Sequence, residues 1–159
     1  FSKTLAITGW RIGYIISTNV EAMKQVVKIQ YYISACSNDA MQYGVLAAME
    51  QANGYPNLMA REFQARCDLI VDRLNAMPGV QCHRPKGAIY VFPKVTVEGM
   101  TSEEVALEML KDGVLCSPGS AFGPSGEGHL RFAYTISQAD IRRGMDKVET
   151  TLKRLQQAG

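Results

Sequence analysis

The sequence predicts an α/β fold whose chain changes character near residue 54. Three observations carry that expectation. Apolar residues recur at helical spacing in several segments, the longest running from Met59 to Met77. In the second half, short continuous apolar runs such as Ala88 to Phe92 alternate with helical segments and read as strands. Between the two regimes lies Gly54-Tyr55-Pro56-Asn57, the strongest turn chemistry of the first half, and a domain transition is expected there.

Taken in order, Ile12 to Ser17 is a near-continuous apolar run and reads as a short buried strand. Asn19 then offers a cap for a helix in which Val20, Met23, Val26, Val27, Ile29 and Ile33 share one broad face. Glu21, Lys24, Gln25 and Lys28 form its narrower polar face, and the helix is expected to end before Ser34. Ser37, Asn38 and Asp39 can start a second helix. Its residues from Ala40 to Gln51 are mostly small or apolar, which predicts packing on several sides. The stripe Met59, Phe63, Cys67, Ile70, Val71, Leu74 and Met77 holds helical register for about five turns until Pro78-Gly79 stops it. Ala88 to Phe92, ending at Pro93, has the signature of a strand covered on both faces. Thr101 and Glu104 match a capping box for a helix that carries Val105, Ala106, Met109 and Leu110 and closes at Asp112-Gly113. Val114 to Ser117 is a further short strand. Ser137 and Asp140 open a last helix with Ile141, Met145, Val148, Leu152 and Leu155 on one face. There is no internal repeat.

Composition narrows the function classes. The chain has 159 residues, enough for a substantial core, and its 47% hydrophobic and 20% charged content suits an ordinary globular protein. Seventeen basic against 15 acidic residues leave a net charge of +2 without a like-charge run, which argues against a nucleic-acid partner. No apolar stretch is long enough to span a membrane. Cys36, Cys67, Cys82 and Cys116 lack Cys-x-x-Cys spacing and a histidine cluster, which argues against a metal site. Reduced thiols are the simplest account of them, and a cytoplasmic location is expected. The chain opens on Phe1 without a signal-like leader and reads as a piece of something longer.

Two cations draw attention at the start. Lys3 stands in a run of small, polar and apolar residues, and Arg11 follows eight positions later between Gly9 and Gly13, with no carboxylate in the stretch. Most lysines are solvated surface charges. A lysine desolvated beside another cation, however, has its charged form disfavoured and becomes an amine able to form a Schiff base. In the second half, the alternation of His129 to Tyr134 puts Leu130, Phe132 and Tyr134 on one face and Arg131 with Ala133 on the other. An arginine there without an adjacent acid suits anion binding, although an arginine on a solvated sheet face is the norm. His83 and His129 read as structural or exposed, Cys116 as a small packed hydrophobe, and Trp10 and Tyr14 as core.

The string Ser2-Lys3-Thr4 followed by Gly9-Trp10-Arg11-Ile12-Gly13-Tyr14 resembles the lysine segment of the fold-type I pyridoxal-phosphate aminotransferases, the class I/II aspartate aminotransferase superfamily. Lys86-Gly87-Ala88-Ile89-Tyr90-Val91-Phe92-Pro93 resembles a small-domain segment of that family. Gly113-Val114-Leu115-Cys116-Ser117-Pro118-Gly119-Ser120-Ala121-Phe122-Gly123, with Gly128-His129-Leu130-Arg131-Phe132, resembles its C-terminal signature. The three matches stand in the family's order and cover essentially the whole chain. One departure is that the family's phosphate-binding serine, three residues before the lysine, falls ahead of Phe1.

The resemblance implies the C-terminal part of the pyridoxal-phosphate-dependent transferase fold. Residues 1–54 would be a remnant of the large cofactor-binding domain, and residues 55–159 a connecting helix and the small α/β domain. It implies pyridoxal 5'-phosphate as cofactor, held as a Schiff base on Lys3 with its phosphate gripped by Arg11, and a substrate α-carboxylate on Arg131. It further implies transfer of an amino group between an amino acid and a 2-oxo acid, Lys3 serving as the general base and acid, in a protein that works as a homodimer. The family's other cofactor contacts lie upstream of the lysine, so this piece alone is expected to be inactive. A lyase or synthase of the same fold and a non-catalytic docking subdomain are the alternative readings. The donor amino acid is not legible.

Overall fold

The computed structural model describes residues 1–51 and 54–158 and divides into two compact units, Phe1–Met59 and Ala60–Gly159. In the first unit a looped N-terminus with a 3-10 turn at Thr8–Trp10 leads into α1 (Val20–Ser34) and α2 (Asp39–Gln51). Asn19 caps α1 as its sequence suggests, its Oδ1 accepting from the Ala22 N–H at 2.9 Å. Asn38 does the same for α2, accepting from the Met41 N–H at 3.2 Å.

Three expectations for this unit need correction. Ile12 to Ser17 forms no strand and Ile16 is 82% exposed, because no strand among the described residues of this unit offers it a ladder. The second helix is not packed on several sides: Val45 is its one buried residue, and Leu46 and Met49 face outward. Trp10 and Tyr14 are not core either, at 40% and 68% exposure. Trp10 leans on α2 at Gly44, where an added Cβ would collide with its ring, and Tyr14 meets Phe1 with ring centroids 5.1 Å apart. Two helices and a loop make a single layer. An amphipathic helix needs a second layer to bury its stripe, and α1 has no buried residue.

The helix α3 (Tyr55–Asn75) begins four residues before the Met59 stripe. Gly54, at φ +78°, makes the turn, and Pro56 fits in the first helical turn, where a missing N–H costs nothing. In the second unit its residues Cys67, Ile70, Val71 and Leu74 are buried. They pack with α4 (Ser102–Lys111) and α5 (Gln138–Ala158) around five short strands. β1 (Val80–Gln81) pairs antiparallel with β3 (Lys94–Val95). β5 (Leu130–Ala133) is the centre of a three-stranded antiparallel sheet between β2 (Tyr90–Val91) and β4 (Ser117–Pro118).

The capping box of α4 is formed as the sequence suggests: the Glu104 N–H donates to Thr101 Oγ1 and the Thr101 N–H to Glu104 Oε2. Ser137 Oγ accepts from the Asp140 N–H at 3.1 Å and opens α5, whose Ile141, Met145, Val148 and Leu152 are buried. Two strands are shorter than expected. Ala88, at φ +64°, bends the chain out of extended geometry, so pairing starts at Tyr90, and Phe92 is exposed rather than covered. The run from Val114 pairs only at Ser117 and Pro118, and Leu115 points to solvent.

Leu74 is 0% exposed while Leu115 is 83% exposed. Leu74→Ala should therefore cost about 2–5 kcal/mol and Leu115→Ala no more than about 0.5 kcal/mol. Urea midpoints of the two variants, compared with the parent chain at equal slope, check this; equal losses would contradict the core assignment.

Candidate functional site

The predicted site residues fall on both units: Lys3 and Arg11 share the N-terminal loop of the first, and Arg131 sits on β5 of the second. The loop around Lys3 is a sequence of tight turns. The Leu5 N–H donates to the Phe1 carbonyl at 3.0 Å and the Ala6 N–H to the Lys3 carbonyl at 3.3 Å. Ala6 and Arg11 both adopt left-handed backbone, at φ +55° and +53°, a conformation that costs L-residues energy and gathers at functional loops. The Lys3 side chain is exposed, contrary to the buried setting expected of it, because the turns bring no apolar layer over it.

Arg11 closes the 3-10 turn and its Nη1 donates to the Thr8 carbonyl at 3.0 Å. That bond uses one of five guanidinium N–H donors. Among the described residues, Arg11 is the one charged residue lining a cleft of about 580 Å³ walled by Tyr14, Met23, Val27 and Tyr31. A cation lining a largely apolar cleft is an arrangement that can take an anionic group attached to a flat organic body.

Arg131 is the predicted site cation of the second unit. β5 buries Leu130 and Phe132 on one face and turns half-buried Arg131 to the other, as the alternation predicts. Its Nη2 donates to Ser117 Oγ at 3.2 Å across the β4–β5 pair. Its Cζ lies over the Tyr90 ring at 4.7 Å and over the Phe122 ring at 4.6 Å. Among the described residues no carboxylate forms an ion pair with it. The guanidinium keeps most of its donors, which suits a bidentate grip on a carboxylate or phosphate.

Phe122 and Tyr90 were invisible as site residues in the sequence because their role depends on which residue they stack on. So was Glu127, whose partner Ser102 lies 25 positions away. Glu127 Oε1 accepts from the Ser102 N–H at 2.6 Å and from the Gly128 N–H at 3.0 Å, and its Oε2 accepts from Ser102 Oγ at 3.1 Å. These bonds, the Ser102 backbone N–H first, hold the Glu127 carboxyl below the usual range. The Ser120 N–H donates to Ser102 Oγ at 3.3 Å, so the same network holds the 3-10 turn Gly119–Phe122. Gly119 and Gly126 cross so closely there that a Cβ on either would overlap the other's backbone. His129 stacks on Phe92, with centroids 5.0 Å apart and planes 9° apart. Burial pushes the Cys116 thiol up to about 11, which leaves it an inert packed group.

A carboxyl whose folded value is depressed contributes stability that is complete above the ordinary glutamate value, about 4.3, and is lost as pH falls through the lower folded value. Glu127→Gln should thus lower the urea midpoint at pH 7, with the gap to the parent chain narrowing steadily below pH 4. A gap of constant size across that range would show that the charge of Glu127 is immaterial.

Residues 1–148 match the family described as Aminotransferase class I and II. Aromatic-amino-acid aminotransferase 2 of Thermococcus litoralis is 36% identical over 156 residues, covering 96% of this chain and 40% of that protein. The aspartate aminotransferase of Thermotoga maritima is 39% identical over 152 residues, covering 96% and 38%. Among solved structures, an aromatic aminotransferase from Pyrococcus horikoshii superposes with a TM-score of 0.87 at 36% identity, over 97% of this chain and 41% of that one. The chain thus spans about 40% of the length of the relatives it matches.

Proposed function

This chain belongs to the class I and II aminotransferase family, and from that premise we propose that the whole protein is a transaminase moving an amino group between an amino acid and a 2-oxo acid. The observation that carries the reading is Arg131: a guanidinium held by two rings and a serine, with no carboxylate of its own, suits the one feature common to both substrates, the α-carboxylate.

The family works with pyridoxal 5'-phosphate. The donor set of the first unit fits that group in kind. Lys3 brings a primary amine on a tightly turned loop, and Arg11 brings a guanidinium with spare donors beside an aromatic and apolar cleft. Lys3 would hold the cofactor covalently through Nζ and Arg11 would hold its phosphate. When bound, the cofactor supplies the electron sink that makes the substrate α-proton removable. Once the substrate amine has displaced it, Lys3 Nζ would take that proton from the α-carbon and return it to the carbon on the other side of the amino nitrogen, and Arg131 would hold the α-carboxylate.

The rest of the relatives' length would complete the cofactor site, with residues 1–54 read as part of the large cofactor-binding domain and residues 55–159 as the connecting helix and small domain. A homodimer in the cytoplasm is the setting we favour. The exposed apolar residues of the first unit, among them Ile16, Tyr32 and Ile33, support burial against further protein. The relatives are named for aromatic amino acids and for aspartate, and either donor class is compatible with the residues named here.

Borohydride reduction of the whole protein with pyridoxal phosphate should leave one pyridoxyl group, located by peptide mass on Lys3. Lys3→Ala should lose that label and lower kcat by about 10²–10⁴-fold or more. Labelling spread over other lysines, or transamination that survives Lys3→Ala, would remove the basis of the proposal.

A further inference from the structure

Resting on the reading of Arg131 as the carboxylate-binding residue, we propose that Phe122 and Tyr90 are positioning residues for it, and that the Ser102–Glu127 hydrogen-bond network sets the position of Phe122. Here a partner carboxylate would compete with the substrate for the same N–H fork and neutralise the charge that attracts it. Aromatic faces hold a guanidinium through the ring quadrupole without consuming its in-plane donors. Tyr90 stands diagonally across the β2–β5 pair from Arg131, on the same face of the sheet, with its ring 4.7 Å from Cζ. Phe122 reaches the guanidinium from outside the sheet, at 4.6 Å.

Phe122 sits on a four-residue 3-10 turn, a short element with little rigidity of its own. Its position comes from its neighbours. Phe92 meets its ring edge to face at 5.8 Å, backed by the stacked His129. At the other end of the turn, the Gly119 N–H donates to the His129 carbonyl at 2.8 Å and the Ser120 N–H to Ser102 Oγ. Ser102, at the first turn of α4, is held in turn by both carboxylate oxygens of Glu127. A chain of contacts thus runs from the N-terminus of α4 through Glu127, Ser102 and the turn to the ring over Arg131.

The test uses the whole protein with pyridoxal phosphate bound and reads the KM for an amino-acid substrate, kcat, and the Arg131 Hε proton by NMR, assigned by its disappearance in Arg131→Lys. Two rings over the guanidinium should shift that Hε upfield of the other arginines. Phe122→Leu, close in volume but without a π face, should move it back downfield and raise KM about tenfold, with kcat changed far less. Phe122→Tyr should restore both readings. Should Phe122→Leu fail to fold, Tyr90→Leu and the wild-type Hε position carry the same test. An Hε at the ordinary position in the wild type overturns the proposal, as does an unchanged KM in Phe122→Leu where Arg131→Lys raises it. An unchanged KM in Arg131→Lys would instead defeat the assignment of Arg131 itself, and the positioning role with it.

Discussion

The burial of three helical stripes against β5 is the constraint on which the second unit depends. Its strands are two to four residues long, too short to form a stable sheet by pairing alone. What keeps them in register is the layer beneath: Ile70 and Leu74 from α3, Met109 from α4, and Val148 and Leu152 from α5, all within 2% exposure, packed with Leu130 and Phe132 of β5. Because a strand's side chains alternate, burying Leu130 and Phe132 forces Arg131 to the opposite face. The core therefore aims the candidate anion-binding cation.

Electrostatics around this core follow a division of labour. The surface carries paired charges, such as Arg73 with Asp146 and Glu149, or Arg154 with Glu108 and Asp112, and each pair contributes little on its own. Arg131 differs in its partners, two rings and a hydroxyl in place of a carboxylate. A guanidinium so held keeps its attraction for an incoming anion, which a salt-bridged one would have spent. Glu127 illustrates the complementary case, a carboxylate whose acceptor capacity is taken up by the Gly128 N–H beside it and by Ser102 at the start of α4, where the macrodipole also favours negative charge.

The first unit is governed by the opposite condition. α1 has a continuous apolar face and good capping, yet buries no residue. Such a surface is stable in a protein only when another layer lies over it. The exposure of Ile16, Tyr32 and Ile33 belongs together with the length relation to the relatives, of which this chain matches about 40%.

By itself the sequence determined the helices, several of their caps and the apolar stripes that α3, α4 and α5 turn inward, because these depend on residues three or four positions apart. Asn19, Thr101 with Glu104, and Ser137 act where their spacing says, and the alternation in Leu130 to Tyr134 places Arg131 on the outward face. It also marked Lys3, Arg11 and Arg131 as a set through the resemblance of their surrounding strings. Only the tertiary structure decided the rest. Whether Ile12 to Ser17 becomes a strand depends on a ladder partner elsewhere, and whether Trp10 or Leu46 is buried depends on a second layer, neither of which local sequence specifies. The rings of Tyr90 and Phe122 over Arg131, and the carboxylate of Glu127 on Ser102, join residues from 9 to 41 positions apart. Contacts at that separation leave no periodic trace in the chain, because their distances are set by how the elements pack and not by the spacing of residues within any one of them.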